Sequence, residues 1–209
     1  MVSRFVRALL HRFGDCRPDI QSAPDPVAAP VTTPPAAGVS RNELPDRSRD
    51  LSRPRIQSVR LTEWLIVQID GTPGFPARGV AGLGMLVRNE RGAVIRVYCG
   101  RAPARTSQEA EYQALIAALR LIRRDFPNRR VRCLTDSQLV VEQLNGVAAV
   151  RTEPIRLLYQ TARELIDQFP PATFELVRIP RDLNRLADAL AWEALGGRHA
   201  LLRQAGVRR

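Results

Sequence analysis

From about Val59 the chain acquires a hydrophobic rhythm that the residues before it lack. Residues 64–70, WLIVQID, form a near-continuous apolar run closed by an acid, as expected of a strand buried on both faces. Residues 80–89 and 93–100 are two β-rich runs separated by Glu90-Arg91-Gly92, which predicts an antiparallel hairpin. The period then becomes helical over 106–126, with Thr106 or Ser107 placed to cap and acids in the first turn. A strand is predicted over 130–136 and a short helix over 137–146, closed by Asn-Gly. An amphipathic helix over 153–169 starts with Pro154 in its first turn. A last strand spans 173–180, and a last helix spans 184–197 and stops at two glycines.

The element order is β-β-β-α-β-α-α-β-α. Three strands meander antiparallel, and the last two, reached through helices, run parallel to the first. The fold class is α/β, one mixed sheet with helices packed on its faces.

Residues 1–58 carry eight prolines among Ala, Thr and Asp, and no apolar period after Phe13. Such a segment cannot bury enough surface to offset its ordering entropy, so a disordered tail is expected there. The predicted domain is 59–197, followed by a basic tail over 198–209 with four arginines and no acid. The chain has 209 residues and a net charge of +11, with 32 basic residues that are all arginine. A basic balance favours polyanionic partners, and arginine suits bidentate phosphate recognition; an arginine-biased genome accounts for the same skew. Cys16, Cys99 and Cys133 form no CxxC or Cys/His cluster, which predicts neither zinc nor a disulfide framework but free thiols in a reduced compartment. No apolar run approaches the roughly 20 residues of a membrane span. The basic amphipathic start, MVSRFVRALLHRF, lacks the long apolar core of a secretory signal. A cytoplasmic protein is expected, with organelle targeting by that stretch as the alternative.

Four carboxylates stand at element ends or on apolar faces. Asp70 ends the first strand, before Gly71, where a turn is the simpler account. Glu111 shares a helix face with Leu115, Ala118 and Ile122. Asp136, at a strand-to-helix junction, is placed to cap the helix after it, a contribution of about 1 kcal/mol. Asp188 shares a face with Ala191, Trp192 and Leu195, and an ion pair with Arg181 or Arg185 would explain it. Each has an ordinary explanation alone. With the strand order above they would converge, and four acids in one place repel unless a cation is shared. Hard oxygen ligands suit Mg²⁺.

The stretches VQIDGT, AEYQALIAAL, TDSQLVVEQLNG and IPRDLNRLADALA resemble the type 1 ribonuclease H family, its archaeal and plant-type branch in particular, over roughly residues 62–196. That resemblance implies a ribonuclease H-like, five-stranded mixed sheet of order 3-2-1-4-5 with helices on both faces. It implies hydrolysis of the RNA strand of an RNA–DNA hybrid with two Mg²⁺ ions, Mn²⁺ being a possible substitute. The acids fall on Asp70, Glu111, Asp136 and Asp188, as catalytic metal ligands. It further implies nucleic-acid contacts at Gly71, Thr72, Thr106, Ser107, Gln108, Ser137, Arg181 and Asn184, and a monomer without a membrane span.

The sequence departs from the family at three points. Arg181 lies in a loop where bacterial members carry a His, Phe75 stands where many members have an Asn, and Ser107-Gln108 replace a pair of Asn residues. The Asn residues of the family help read the ribose 2′-hydroxyl, and Ser107 and Gln108 can still hydrogen-bond in their place. A proofreading exonuclease is disfavoured by Asp70-Gly71-Thr72 in place of Asp-x-Glu, and an integrase by the order of the acids. The rival that keeps all four acids is a ribonuclease H-like domain that binds nucleic acid without cutting it.

Overall fold

The computed structural model describes residues 14–19, 63–74 and 79–197, the first of these by backbone course alone. The rest of the N-terminal segment, Phe75 and the C-terminal tail lie outside the described residues. The strands are β1 (Gly14–Asp19), β2 (Trp64–Thr72), β3 (Val80–Arg88), β4 (Val94–Pro103), β5 (Arg130–Thr135) and β6 (Phe174–Arg178). The helices are α1 (Ser107–Asp125), α2 (Gln138–Leu144), α3 (Glu153–Ile166) and α4 (Arg185–Ala194), the last preceded by a 3-10 turn at Arg181–Leu183.

The strands form one sheet of order β1-β4-β3-β2-β5-β6. β2–β3 and β3–β4 are antiparallel, while β2–β5 and β5–β6 are parallel. Leaving β1 aside, this is the expected 3-2-1-4-5 mixed sheet. β1 adds a strand parallel to β4, within the segment expected to be a tail. Its composition carries no strand signal because the pairing is supplied by the free edge of β4. Cys99 is disulfide-bonded, which corrects the expectation of three free thiols. The β1–β4 register sets it opposite Cys16, a proximity that spacing in the sequence does not reveal. Cys133 is free and buried.

The β3–β4 hairpin closes as predicted. Asn89 Oδ1 accepts from the backbone N–H of Arg91 and Ala93, and Gly92 takes the left-handed φ of 77° that the turn requires.

Alternation along β2 divides the core. Leu65, Val67 and Ile69 pack in one large cluster with Leu115, Leu119 and Ile122 of α1. Each fully buried aliphatic side chain of this kind contributes roughly 1.5–3 kcal/mol. On the other face, Leu86, Val97 and Cys99 meet Leu190 and Ala194 of α4 in a smaller cluster. Glycines let the helix backbones lie directly on the sheet. A Cβ on Gly71 would stand 2.1 Å from the Ala110 carbonyl oxygen in α1. On Gly82 and Gly84 it would stand 2.0 Å and 2.1 Å from the Ala191 and Ala187 carbonyl oxygens in α4. These approaches set how near each helix brings its acid to β2. Among the described residues no helix is long and apolar enough to cross a membrane.

Candidate metal centre and nucleic-acid interface

The parallel β2–β5 ladder runs to Gln68 opposite Leu134. Two residues further along both chains come Asp70 and Asp136, on the same side of the sheet because side chains alternate. Asp70 lies within β2, opposite Gly84, and is 6% exposed. The strand runs on to Thr72, so the turn account of Asp70-Gly71 does not hold.

Glu111 arrives from α1. Ala110 is fully buried on Gly71, which carries Glu111, the next residue, to the rim of β2. Oxygen atoms of Asp70, Glu111 and Asp136 lie within 4.8 Å of one another. Burial pushes the Glu111 carboxyl up to about 9, helped by repulsion from Asp70 and then Asp136, against the pull of the Gly71 backbone N–H and Arg181. Asp70 is pushed up to about 7, first by burial, then by the charges of Asp188 and Asp136. Glu111 Oε2 is buried without a hydrogen-bond partner among the described residues. A half-buried cluster of hard oxygen donors with an orphaned carboxylate oxygen fits a divalent metal ion, which would neutralise the repulsion and supply the missing partner.

Asp136 does not cap α2. The N-cap position belongs to Ser137, whose side chain makes no capping bond. Asp136 Oδ1 instead accepts from Asn184 Nδ2 at 2.8 Å, and the same amide donates to the Ile69 carbonyl at 2.8 Å. The Ser137 backbone N–H donates to Thr135 Oγ1 at 3.1 Å, which leaves Asp136 turned towards β2 rather than back over the helix. Asn184 is 1% exposed, its side chain backing Asp136 from inside the fold. The turn that carries it is docked by Gln68, whose Nε2 donates to the Leu183 carbonyl at 2.8 Å. Arg88 holds the other end of that amide at 3.2 Å.

Asp188 stands beside the trio rather than in it. Its charge is the second cause of the raised Asp70 pKa, and Arg181 Nη2 approaches its Oδ1 at 3.8 Å. The Arg181 side chain is 82% exposed. An ion pair with such an exposed partner contributes at most about 1 kcal/mol, and the guanidinium remains accessible to an arriving phosphate.

The other candidates divide by environment. Thr106 caps α1, its hydroxyl accepting from the Glu109 N–H at 3.1 Å. Ser107 is exposed, and Gln108 and Ser137 are half-buried. Thr72 is 8% exposed, and Gly71 serves as the bearing surface for α1. Sequence reasoning passed over Thr135 and Gln143. Gln143 is 4% exposed and lies three residues after the buried Val140, so an amide on an apolar helix face was the available signal.

Comparison with known proteins adds to this geometry. The model of the family described as reverse transcriptase-like matches residues 69–194, a span that holds all four acids. Ribonuclease HI of Halobacterium salinarum is 41% identical over 128 residues, covering 60% of this chain and 59% of that protein. A bifunctional protein of Mycobacterium tuberculosis is 34% identical over 134 residues, covering 63% of this chain and 35% of that protein. The chain thus spans about three fifths or less of these relatives' lengths. Among solved structures, ribonuclease H1 of Halobacterium salinarum has a TM-score of 0.57 at 32% identity, covering 64% of this chain and 98% of that one. LC11-RNase H1, a compost metagenome enzyme solved in complex with an RNA/DNA hybrid, has a TM-score of 0.58 at 29% identity, covering 66% and 99%.

Proposed function

The chain belongs to the reverse transcriptase-like family, with the type 1 ribonuclease H fold, and on that premise we propose that it is an endonuclease that hydrolyses the RNA strand of RNA–DNA hybrids. The observation that carries the reading is the convergence of Asp70, Glu111 and Asp136 within 4.8 Å, with a buried Glu111 oxygen that has no partner. We assign residues 59–197, with β1 added at the edge of its sheet, as the working domain, acting as a monomer.

Asp70, Glu111 and Asp136 would hold the metal, with Asp188 at the edge of the site. Two Mg²⁺ ions, replaceable by Mn²⁺, would supply an activated water and neutralise charge developing on the scissile phosphate. Asp70 is the central ligand, since the other acids reach it from a neighbouring strand and from helices on both faces. Asn184 aims Asp136 by donating to one of its oxygens, which leaves the other for the ion. Arg181 offers an exposed guanidinium to the phosphate backbone. Ser107 and Gln108, on the first turn of α1 before Glu111, present hydrogen-bonding groups to the sugar edge of the RNA strand.

The test is cleavage of end-labelled RNA–DNA hybrid, double-stranded RNA, single-stranded RNA and single-stranded DNA with Mg²⁺ or Mn²⁺. Internal cuts in the RNA of the hybrid are expected, and none in Asp136→Asn. Metal-independent cutting, or full activity in that variant, would overturn the mechanism. Salt-sensitive hybrid binding without turnover in either metal would point to a binding domain instead.

A further inference from the structure

A buried amide behind the proposed sugar-reading turn has no part in the chemistry assigned so far. Gln143 sits on the face of α2 turned to α1. A buried, unbonded amide costs roughly 1–3 kcal/mol, yet this one is bonded at both ends. Its Nε2 donates to the Ala149 carbonyl at 3.1 Å. Its Oε1 accepts from Tyr112 Oη at 2.9 Å and from Gln108 Nε2 at 3.0 Å.

The chemistry of these partners orients the whole chain of amides. A backbone carbonyl only accepts, so Ala149 fixes which end of Gln143 carries the NH₂ group. Gln143 then offers oxygen to α1, and Gln108 must answer with nitrogen. Gln108 Oε1 is left as the uncommitted atom, with no donor bonded to it among the described residues. Gln108 is half-buried and precedes Glu111 by one helical turn, on the same side of α1. A ribose 2′-hydroxyl can donate to its Oε1, and a deoxyribose has nothing to donate. The opposite amide orientation would present a donor, which sugar and phosphate oxygens of either strand satisfy equally.

We infer that Gln143 is a positioning residue that turns Gln108 so that a hydrogen-bond acceptor faces the nucleic acid, favouring a strand that carries 2′-hydroxyls. The inference rests on the hybrid-cleaving reading above and deepens it. Gln143 touches no substrate and acts only through Gln108.

The experiment measures kcat and KM on RNA–DNA hybrid for the full chain, Gln143→Leu, Gln108→Ala and the double variant. It adds hybrids in which one ribose at a time near the cut is replaced by deoxyribose. Gln143→Leu is expected to raise KM about tenfold with kcat within about twofold, the pattern of lost uniform binding. The double variant is expected to match Gln108→Ala, because the two residues act as one unit. Wild type should lose affinity when one particular ribose is replaced, and Gln143→Leu should not. Tyr112→Phe, which disturbs the same buried spot but spares the Ala149 and Gln108 bonds, should keep the wild-type KM. If Gln143→Leu does not fold, Gln143→Met, of the same length, takes its place. Unchanged KM, multiplicative effects in the double variant, or an equal rise in Tyr112→Phe would overturn the inference. Wild type that leaves the hybrid uncut would overturn the functional reading and the inference with it, whereas a cutting wild type with an indifferent Gln143→Leu overturns the inference alone.

Discussion

Replacing Glu111 with glutamine removes the carboxylate whose charged form the fold resists most, and the structure sets the size of the effect. Burial, then Asp70 and Asp136, push this carboxyl from 4.5 to about 9. A native pKa above the unfolded one means that the native state binds the proton more tightly. That stability is fully present below the unfolded value and is lost as pH rises through the native one. Each pH unit inside this window removes about 1.4 kcal/mol, so between about pH 5 and about pH 8 the metal-free protein loses on the order of 4 kcal/mol through the coupled Glu111 and Asp70 carboxyls, Glu111 carrying the larger part. Asp70, raised from 3.8 to about 7, acts in the same direction over the acid half of that window. At roughly 2–4 °C per kcal/mol, this loss corresponds to a fall in Tm on the order of 10 °C. Glu111→Gln cannot ionise there and should show a much flatter profile, with a higher Tm than wild type at the alkaline end. A divalent ion bound only by the native state should restore wild-type stability at high pH. The assay is thermal melting of wild type and variant in EDTA and in millimolar Mg²⁺ across this range. Parallel pH profiles for the two proteins in EDTA would refute the reasoning.

Two further outcomes follow from the same geometry. Asn184→Ala leaves Asp136 without its buried donor and should weaken metal affinity and cleavage by about 10–100-fold, read by calorimetric titration with Mn²⁺ and by hybrid cleavage. Gly71→Ala places a Cβ 2.1 Å from the Ala110 carbonyl oxygen, so α1 must move; a loss of about 1–3 kcal/mol is expected in urea melts, together with weaker Mn²⁺ binding as Glu111 is carried away from Asp70.

The legible parts of the chain were those with strong local patterns. The run WLIVQID, the hairpin around Glu90-Arg91-Gly92 and the helix from Thr106 each appear close to where periodicity put them. The amphipathic pattern continues to residue 169, whereas α3 ends at Ile166. β1 escaped notice because its partner is an edge strand some eighty residues away. Of the four acids that the sequence pattern and the family resemblance pointed to, Asp70, Glu111 and Asp136 meet, and Asp188 stands beside them. Their individual roles were not legible. Asp136 had the local signature of a cap, and the cap position fell one residue later. Asn184 had the look of a nucleic-acid contact and proved to be buried behind Asp136.

The amino-acid sequence alone determined the element types, the mixed α/β class and the four acids, since periodicity and turn chemistry act within a few residues. Tertiary structure decided which acids meet. The β2–β5 register aligned Asp70 with Asp136, and the glycine contacts at Gly71, Gly82 and Gly84 set how closely α1 and α4 deliver Glu111 and Asp188. It also decided how Gln108 is turned, through a carbonyl at Ala149 that lies 41 residues further along the chain. Hydrogen-bond direction and carboxylate repulsion depend on distances of a few ångströms between distant segments, and only the packed fold sets those distances.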